Sequence, residues 1–262
     1  MELILDYFPA DLTPIEVVGL IIFSYFTSAV TATVGIGGGV MMLMAMASIM
    51  PIISVIPVHG AVQMGSNGGR AWLMRDHLNW NIFLYFFIGS LVGAAIASQV
   101  VIALPKDILR LVLGVFVIWI VWGPKPEKRN VNPKSFIPIG IGTTFASMFV
   151  GATGLLIGAF MAPKILGKMT AVSTHAICGM LQHGLKIVVF GLLGFAFSEW
   201  LFLILAMVGT GFLGTFTGRF ILDKIPEKVF VVLFKSVLTL LSVRLIYPVS
   251  YTHLTLPTKR IV

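Results

Sequence analysis

Apolar runs of about twenty residues, the length that a helix needs to cross a bilayer, alternate along this chain with short turns rich in Pro, Gly or charge. The first run starts after Pro14 and continues to about Val34, where GIGGG (Gly35 to Gly39) interrupts it, and a second segment reaches about Met50. Pro51 and Pro57 frame a short break before a helix from about Val55 to Arg75, which Arg75, Asp76 and His77 close. Trp80 and Tyr85 then fit the aromatic belt of a membrane surface. Further runs cover Ile82 to Leu104 and, after a tight turn at Pro105 and Lys106, Ile108 to Trp122. The order repeats beyond a polar segment: Phe136 to Val150, a Gly-rich break to Gly158, a segment ending near Gly167, and helices from Ala171 to Gly194, Trp200 to Leu222 and Pro226 to Tyr247.

The pattern of polar positions singles out one helix in each part. His59, Gln63, Asn67 and Arg70 recur at helical spacing in a setting of Val, Met, Ala, Trp and Leu, so a helix stacks them on one face. Lipid offers such groups no partner, and a polar line on an apolar helix therefore implies a water-lined path or a binding site. A shift of 116 residues lays Val34 on Val150, Gly35 on Gly151, Gly38 on Gly154, His59 on His175, Met64 on Met180, Gly68 on Gly184 and Arg70 on Lys186 without a gap, with Asn67 falling on His183. Trp80 meets Trp200 and Pro105 meets Pro226 at slightly larger shifts. The chain reads as a duplication: a first half over residues 14–122, a linker over 123–134 and a second half over 135–247. Duplicated halves with a site where they meet are a common plan of membrane carriers.

Composition sets the class. Of 262 residues, 58% are hydrophobic and 11% charged, and the mean hydropathy is +1.01, which is too apolar for an ordinary soluble domain. The expected fold is an all-α membrane protein of about eight transmembrane helices, four in each half, with Gly-rich helix breaks. The net charge of +8 is assigned to cytoplasmic loops and an anionic ligand, because the basic residues are scattered between apolar runs and no nucleic-acid motif is present. By the positive-inside rule the linker GPKPEKRNVNPK faces the cytoplasm. Cys178 is the sole cysteine, so an internal disulfide or a thiolate metal cluster is excluded. The amino-terminal residues lack the basic region of a cleaved signal peptide, and the first helix is expected to stay as a membrane signal. The last segment, 248–262, has no counterpart in the first half and reads as foreign sequence.

Each candidate feature has a plain reading and a functional one. Gly35 with Gly39 and Gly154 with Gly158 are spaced for close helix approach; alternatively, the clusters end one helix and start another, which leaves backbone N–H groups and a helix-end charge for an anion. Occurrence at matching places in both halves favours the second reading. A single His in such a helix is ordinarily packed against a carbonyl, but His59 and His175 recur after the shift, and an imidazole both donates to an oxyanion and carries a proton. Arg70 and Lys186 either snorkel to a helix end or meet an anion; neither striped helix contains an Asp or Glu before Asp76. Arg matches the oxygens of sulfite, a sulfonate or a carboxylate better than Lys does. No HExxH, GxSxG or Walker motif occurs, so an enzyme is not expected, nor is a metal or any other cofactor.

With GIGGG after the first helix, the echo VGATGLLIG at 150–158, the halved repeat, and Trp80 and Trp200 at the start of a later helix, the chain resembles the sulfite exporter TauE/SafE family of multi-pass permeases up to about Tyr247. It departs from the commoner family pattern, a Thr-Ser pair in the striped helix, by having Val58-His59 and Thr174-His175. The resemblance implies movement of small sulfur-containing or organic anions across the cytoplasmic (inner) membrane. The expectation is a proton-coupled secondary transporter whose site is lined by Gly37, Gly38, Gly39, His59, Gln63, Asn67, Arg70, Gly154, Thr174, His175, His183 and Lys186. An anion channel, or an intramembrane enzyme or scaffold, is the alternative. The expected partners are a small anion and the lipid bilayer, no nucleic acid is expected, and homo-oligomerisation is left open.

Overall fold

The computed structural model describes residues 8–34, 37–100, 105–123, 132–161, 163–221, 235–236, 238–244 and 246–247. Most of the expected linker, the 248–262 segment, Gly35 with Ile36, and much of the expected last helix lie outside them. The described residues form ten α-helices: α1 Pro14–Val34, α2 Gly38–Ile49, α3 Ile52–Leu73, α4 Trp80–Val100, α5 Lys106–Trp122, α6 Phe136–Val150, α7 Gly154–Phe160, α8 Pro163–Leu166, α9 Lys168–Leu192 and α10 Leu201–Ile221.

Local chemistry explains several of the boundaries. Thr13 and Glu16 form a reciprocal cap at the start of α1, with Thr13 N–H donating to Glu16 Oε2 at 2.8 Å and Glu16 N–H to Thr13 Oγ1 at 3.4 Å. Pro14 occupies the first helical position, where its missing donor costs nothing. Asn79 Oδ1 accepts from Ile82 N–H at 3.1 Å and caps α4. Pro57, expected in a break, lies inside α3. Its missing N–H falls near the amino-terminal end, where the loss affects only a first-turn carbonyl.

Four helical stretches among the described residues are long and apolar enough to cross a membrane: Pro14–Ala32, Trp80–Val100, Met169–Leu192 and Phe197–Gly218. Two shorter apolar stretches are Gly38–Ile49 and Arg110–Trp119. Helix α3 has 22 residues, enough length for a crossing, but its polar stripe keeps it out of the apolar set. Of the two tryptophans aligned by the repeat, Trp80 is 61% exposed and Trp200 only 3%. Trp80 suits a lipid-facing belt, whereas Trp200 is part of the core.

Three helix pairs build the body: α3 against α9, α1 against α10, and α4 against α6. Glycines set the approach in each. In α3·α9, a Cβ placed on Gly68 would meet Met180 Sδ at 3.4 Å, and one on Gly184 would meet Met64 Sδ at 3.6 Å. In α4·α6, Gly93 sits on the Ile141 carbonyl; in α1·α10, Gly214 sits on the Tyr25 carbonyl. Hydroxyls close the seams: Ser24 Oγ donates to Met207 O at 2.7 Å, Thr210 Oγ1 to Ile21 O at 2.9 Å and Thr144 Oγ1 to Ser90 Oγ at 3.0 Å. Small residues with such hydrogen bonds are what helix packing requires where lipid competes for apolar surface. Near the end of the chain, Trp122 Nε1 donates to Thr239 Oγ1 at 2.9 Å and holds the described part of the last segment against α5.

Because Gly214 faces backbone and Gly209 has nothing within 4 Å of its Cβ position, Gly214→Leu is expected to lower stability in detergent by about 1–3 kcal/mol or more and Gly209→Leu by much less. Thermal unfolding of both variants checks this; equal midpoints contradict the packing of α1 on α10.

Candidate functional site

Two interruptions of the helical backbone bracket the centre of the α3·α9 pair. Gly37, with φ 111°, precedes α2, and Gly151, with φ 76°, follows α6; both are in the region that L side chains rarely adopt. The breaks expected from the glycine clusters are therefore present, although α7 begins at Gly154, well before Gly158. Gly38 has the packing role: a side chain there would run into the Thr27 carbonyl of α1.

Each break is tied to a striped helix by a histidine. His59 Nε2 lies 2.8 Å from Gly39 O and His175 Nε2 2.8 Å from Gly154 O. A carbonyl oxygen only accepts, so Nε2 carries the hydrogen in both neutral rings and Nδ1 is left as a lone pair. Nδ1 of His59, of His175 and of His183 is buried without a hydrogen-bond partner among the described residues. The His59 and His183 rings pack edge to face at 5.8 Å between centroids.

Between the breaks is a cavity of about 40 Å³ lined by Gly37, Gly39, His59, Gln63, Asn67, Arg70, Gly154, His175 and His183, together with Thr31, Val40, Ala152 and Leu155. A cavity holds a water once it exceeds about 10–15 Å³, so this one has room for enclosed water. Arg70 is 3% exposed. Its Nη2 donates to Asn67 Oδ1 over a long 3.4 Å, and its Nε and Nη1 have no partner among the described residues. Asn67 is oriented in turn, with Nδ2 donating to Gln63 O at 2.9 Å. None of the chain's ten Asp and Glu falls within α3 or α9. The cavity thus combines a guanidinium with two idle donors and three imidazoles with idle Nδ1 atoms.

Three of the expected residues stand outside this lining. Gly38 packs on α1, as above. Thr174 Oγ1 accepts from Asn79 N–H at 3.0 Å, and its neighbour Ser173 donates to His77 O at 2.7 Å, so both join α9 to the turn after α3. Lys186, the repeat partner of Arg70, is 0% exposed, and its Nζ donates to Gly151 O at 2.7 Å. A cation bonded to a carbonyl at a helix C-terminus is well placed against the helix dipole. The Lys186 stem passes Gly60, where a Cβ would come within 2.8 Å of Lys186 Cδ.

The sequence pattern did not single out Thr31 or the network around Gln182. Gln182 Nε2 donates to Thr143 Oγ1 at 2.9 Å and Thr144 Oγ1 at 3.0 Å, while its Oε1 accepts from Thr153 Oγ1 at 2.9 Å. This network braces the second break. Its only signal in sequence is a set of hydroxyls in an apolar stretch, a feature shared with hydroxyls that bond their own helix, as Thr31 does to Thr27 O at 2.9 Å. No group of three or more His, Cys, Asp or Glu among the described residues is placed to hold a metal ion.

The two basic residues predict opposite effects on the ligand-free protein. Replacing an unpaired buried charge by an apolar group of similar size relieves desolvation, so Arg70→Met is expected to raise stability by about 1–4 kcal/mol, whereas Lys186→Met strands the Gly151 carbonyl and brings no gain. Thermal unfolding without added anion reads both; a large loss for Arg70→Met contradicts the unpaired state of its guanidinium.

In comparisons with known proteins, a family model described as "Sulfite exporter TauE/SafE" matches residues 20–245. No curated protein and no solved structure matches the chain.

Proposed function

The chain belongs to the sulfite exporter TauE/SafE family, and from that premise we propose that it is a proton-coupled secondary transporter of sulfite, an organosulfonate or a related small organic acid across the cytoplasmic membrane. Membership makes it a membrane transport protein of the permease type with a small anionic substrate, and its long apolar helices agree with that setting. The observation that carries the finer reading is Arg70: a guanidinium almost wholly buried, with Nε and Nη1 unpaired. Burying a cation at membrane depth costs on the order of 2.5–3.5 kcal/mol. An anion in the cavity offsets that cost and supplies acceptors for both idle donors.

The backbone around the cavity supports the same assignment. Gly38 and Gly39 open α2 with N–H groups that have no acceptor within their own helix, and Gly37, Gly39 and Val40 at that positive end line the cavity. The volume favours a compact oxyanion; a longer sulfonate needs the cavity to open.

In the proposed architecture, two related halves of four crossings each embrace the site. The correspondences agree with it: Gly68 on Met180 mirrors Gly184 on Met64, and Gly93 on Ile141 mirrors Gly214 on Tyr25. The partners of α1 and α6 come from opposite halves in this scheme, so the halves interlock, and any bundle that moves to open the cavity to each side of the membrane alternately would contain helices of both halves, such as the α1–α10 and α4–α6 pairs. His59 and His175 connect each striped helix to a break, and a proton taken up at the free Nδ1 of either ring would leave its Nε2–H bond to the carbonyl in place, so the proton could be carried and released without undoing the connection.

In proteoliposomes, sulfite flux is expected to rise with an imposed pH gradient and to fall by roughly tenfold or more in Arg70→Gln, which loses the charge-assisted bonds. His59→Ala and His175→Ala are expected to abolish flux while the purified proteins stay folded. Flux that ignores the gradient and runs at channel rates, or that survives all three substitutions, contradicts the assignment.

A further inference from the structure

The cavity's unused hydrogen-bonding groups are of two kinds, and a fully deprotonated oxyanion satisfies only one of them. Arg70 Nε and Nη1 are donors in search of acceptors. His59 and His175 are the reverse: each has committed its N–H to a backbone carbonyl, at Gly39 and Gly154, and retains an Nδ1 lone pair with no partner. His59 is 0% and His175 7% exposed, so bulk water is excluded from both atoms. A buried acceptor left unpaired costs about 1–3 kcal/mol, and an anionic oxygen set against it adds repulsion between lone pairs. Water can bridge the resting site, but it brings no charge to Arg70. A ligand that fits must present acceptor oxygens on one side and an O–H on the other.

We propose that the cavity selects an oxyanion with one negative charge and one acidic hydrogen, with its charged oxygens on Arg70 and its O–H donated to an imidazole Nδ1 of His59 or His175. The inference rests on the transport reading of the same cavity and narrows it to those of its substrates that keep an acidic hydrogen, which leaves out the organosulfonates. Hydrogensulfite, hydrogencarbonate and hydrogenselenite are in this class; sulfate, nitrate and methanesulfonate are not. The selected ion brings its own proton, so anion and proton enter together without a separate carboxylate relay, and no Asp or Glu lies in α3 or α9 to provide one. The symmetric imidazole–carbonyl bonds at the two breaks give the O–H two alternative acceptors, one on each striped helix.

The test is isothermal titration of the full-length protein in detergent, at constant ionic strength, with two matched pairs. Nitrate and hydrogencarbonate are both planar monoanions with three oxygens; methanesulfonate and hydrogensulfite are both compact sulfur monoanions. In each pair only the second has a hydrogen to donate. The proposal expects the second to bind roughly ten- to a hundredfold more tightly, the ratio that one unmet buried acceptor sets. In His59→Met and His175→Met the ratio is expected to shrink from both sides, with nitrate gaining affinity as the opposing lone pair is removed and hydrogencarbonate losing it as its acceptor goes; a merely structural histidine would weaken both ions alike. Nitrate and methanesulfonate binding as tightly as their partners overturns the proposal and leaves the transport reading standing. If none of the four anions binds, both fall.

Discussion

Everything at the centre of this molecule depends on how two broken helices are made tolerable inside a membrane. Exposed N–H and C=O groups cannot persist against lipid, so a break at Gly37 or Gly151 is stable only where other elements cover it. Here the cover is supplied by the two long helices between the breaks. His59 and His175 donate to first-turn carbonyls of α2 and α7, and Lys186 donates to Gly151 at the end of α6. The Lys186 bond meets an orphan carbonyl at the end of α6, while the two histidine bonds bring a second donor to first-turn carbonyls of α2 and α7 and fix the tautomer of both rings. The site's chemistry thus follows from its architecture: with Nε2 committed to a backbone carbonyl, each ring is left with an Nδ1 that something else must satisfy.

The packing around the breaks is tight because it is made of glycine. Met180 over Gly68 and Met64 over Gly184 bring α3 and α9 together at two equivalent levels, and Gly60 makes room for the Lys186 stem. Where the helices come closest, no space remains for a polar side chain to turn away, so Asn67, Arg70 and His183 are held at the cavity wall. Close packing and ligand chemistry are here consequences of one another. Arg70 is held by the close packing around it with Nε and Nη1 unpaired among the described residues.

Much of this was legible in the sequence, for definable reasons. Periodicity located nearly every helix to within a few residues, and the spacing of His59, Gln63, Asn67 and Arg70 put them on the single face that lines the cavity. The offset of 116 residues paired Met64 with Met180 and Gly68 with Gly184, and these are the residues that interlock. Equivalence in sequence nevertheless failed to imply equivalence of role. Arg70 lines the cavity while Lys186 is bonded to a helix end, because a three-dimensional partner, Gly151 O, decides where the charge settles. Trp200 matches Trp80 in alignment but is buried. Thr31 and Gln182 could not be recognised beforehand, since an isolated hydroxyl or amide in an apolar helix has no period, and its neighbours come from segments far apart in the chain.

The central claim is that a travelling oxyanion completes the hydrogen bonding of Arg70 between the two breaks. The most direct measurement is an experimental structure with hydrogenselenite bound, since selenium can be located by its anomalous scattering. The account predicts a selenium position inside the cavity, its oxygens within hydrogen-bonding distance of Arg70 Nε and Nη1 and flanked by Gly39 and Gly154. A selenium site elsewhere, with the Arg70 guanidinium paired to protein or turned out to a membrane surface, would contradict it.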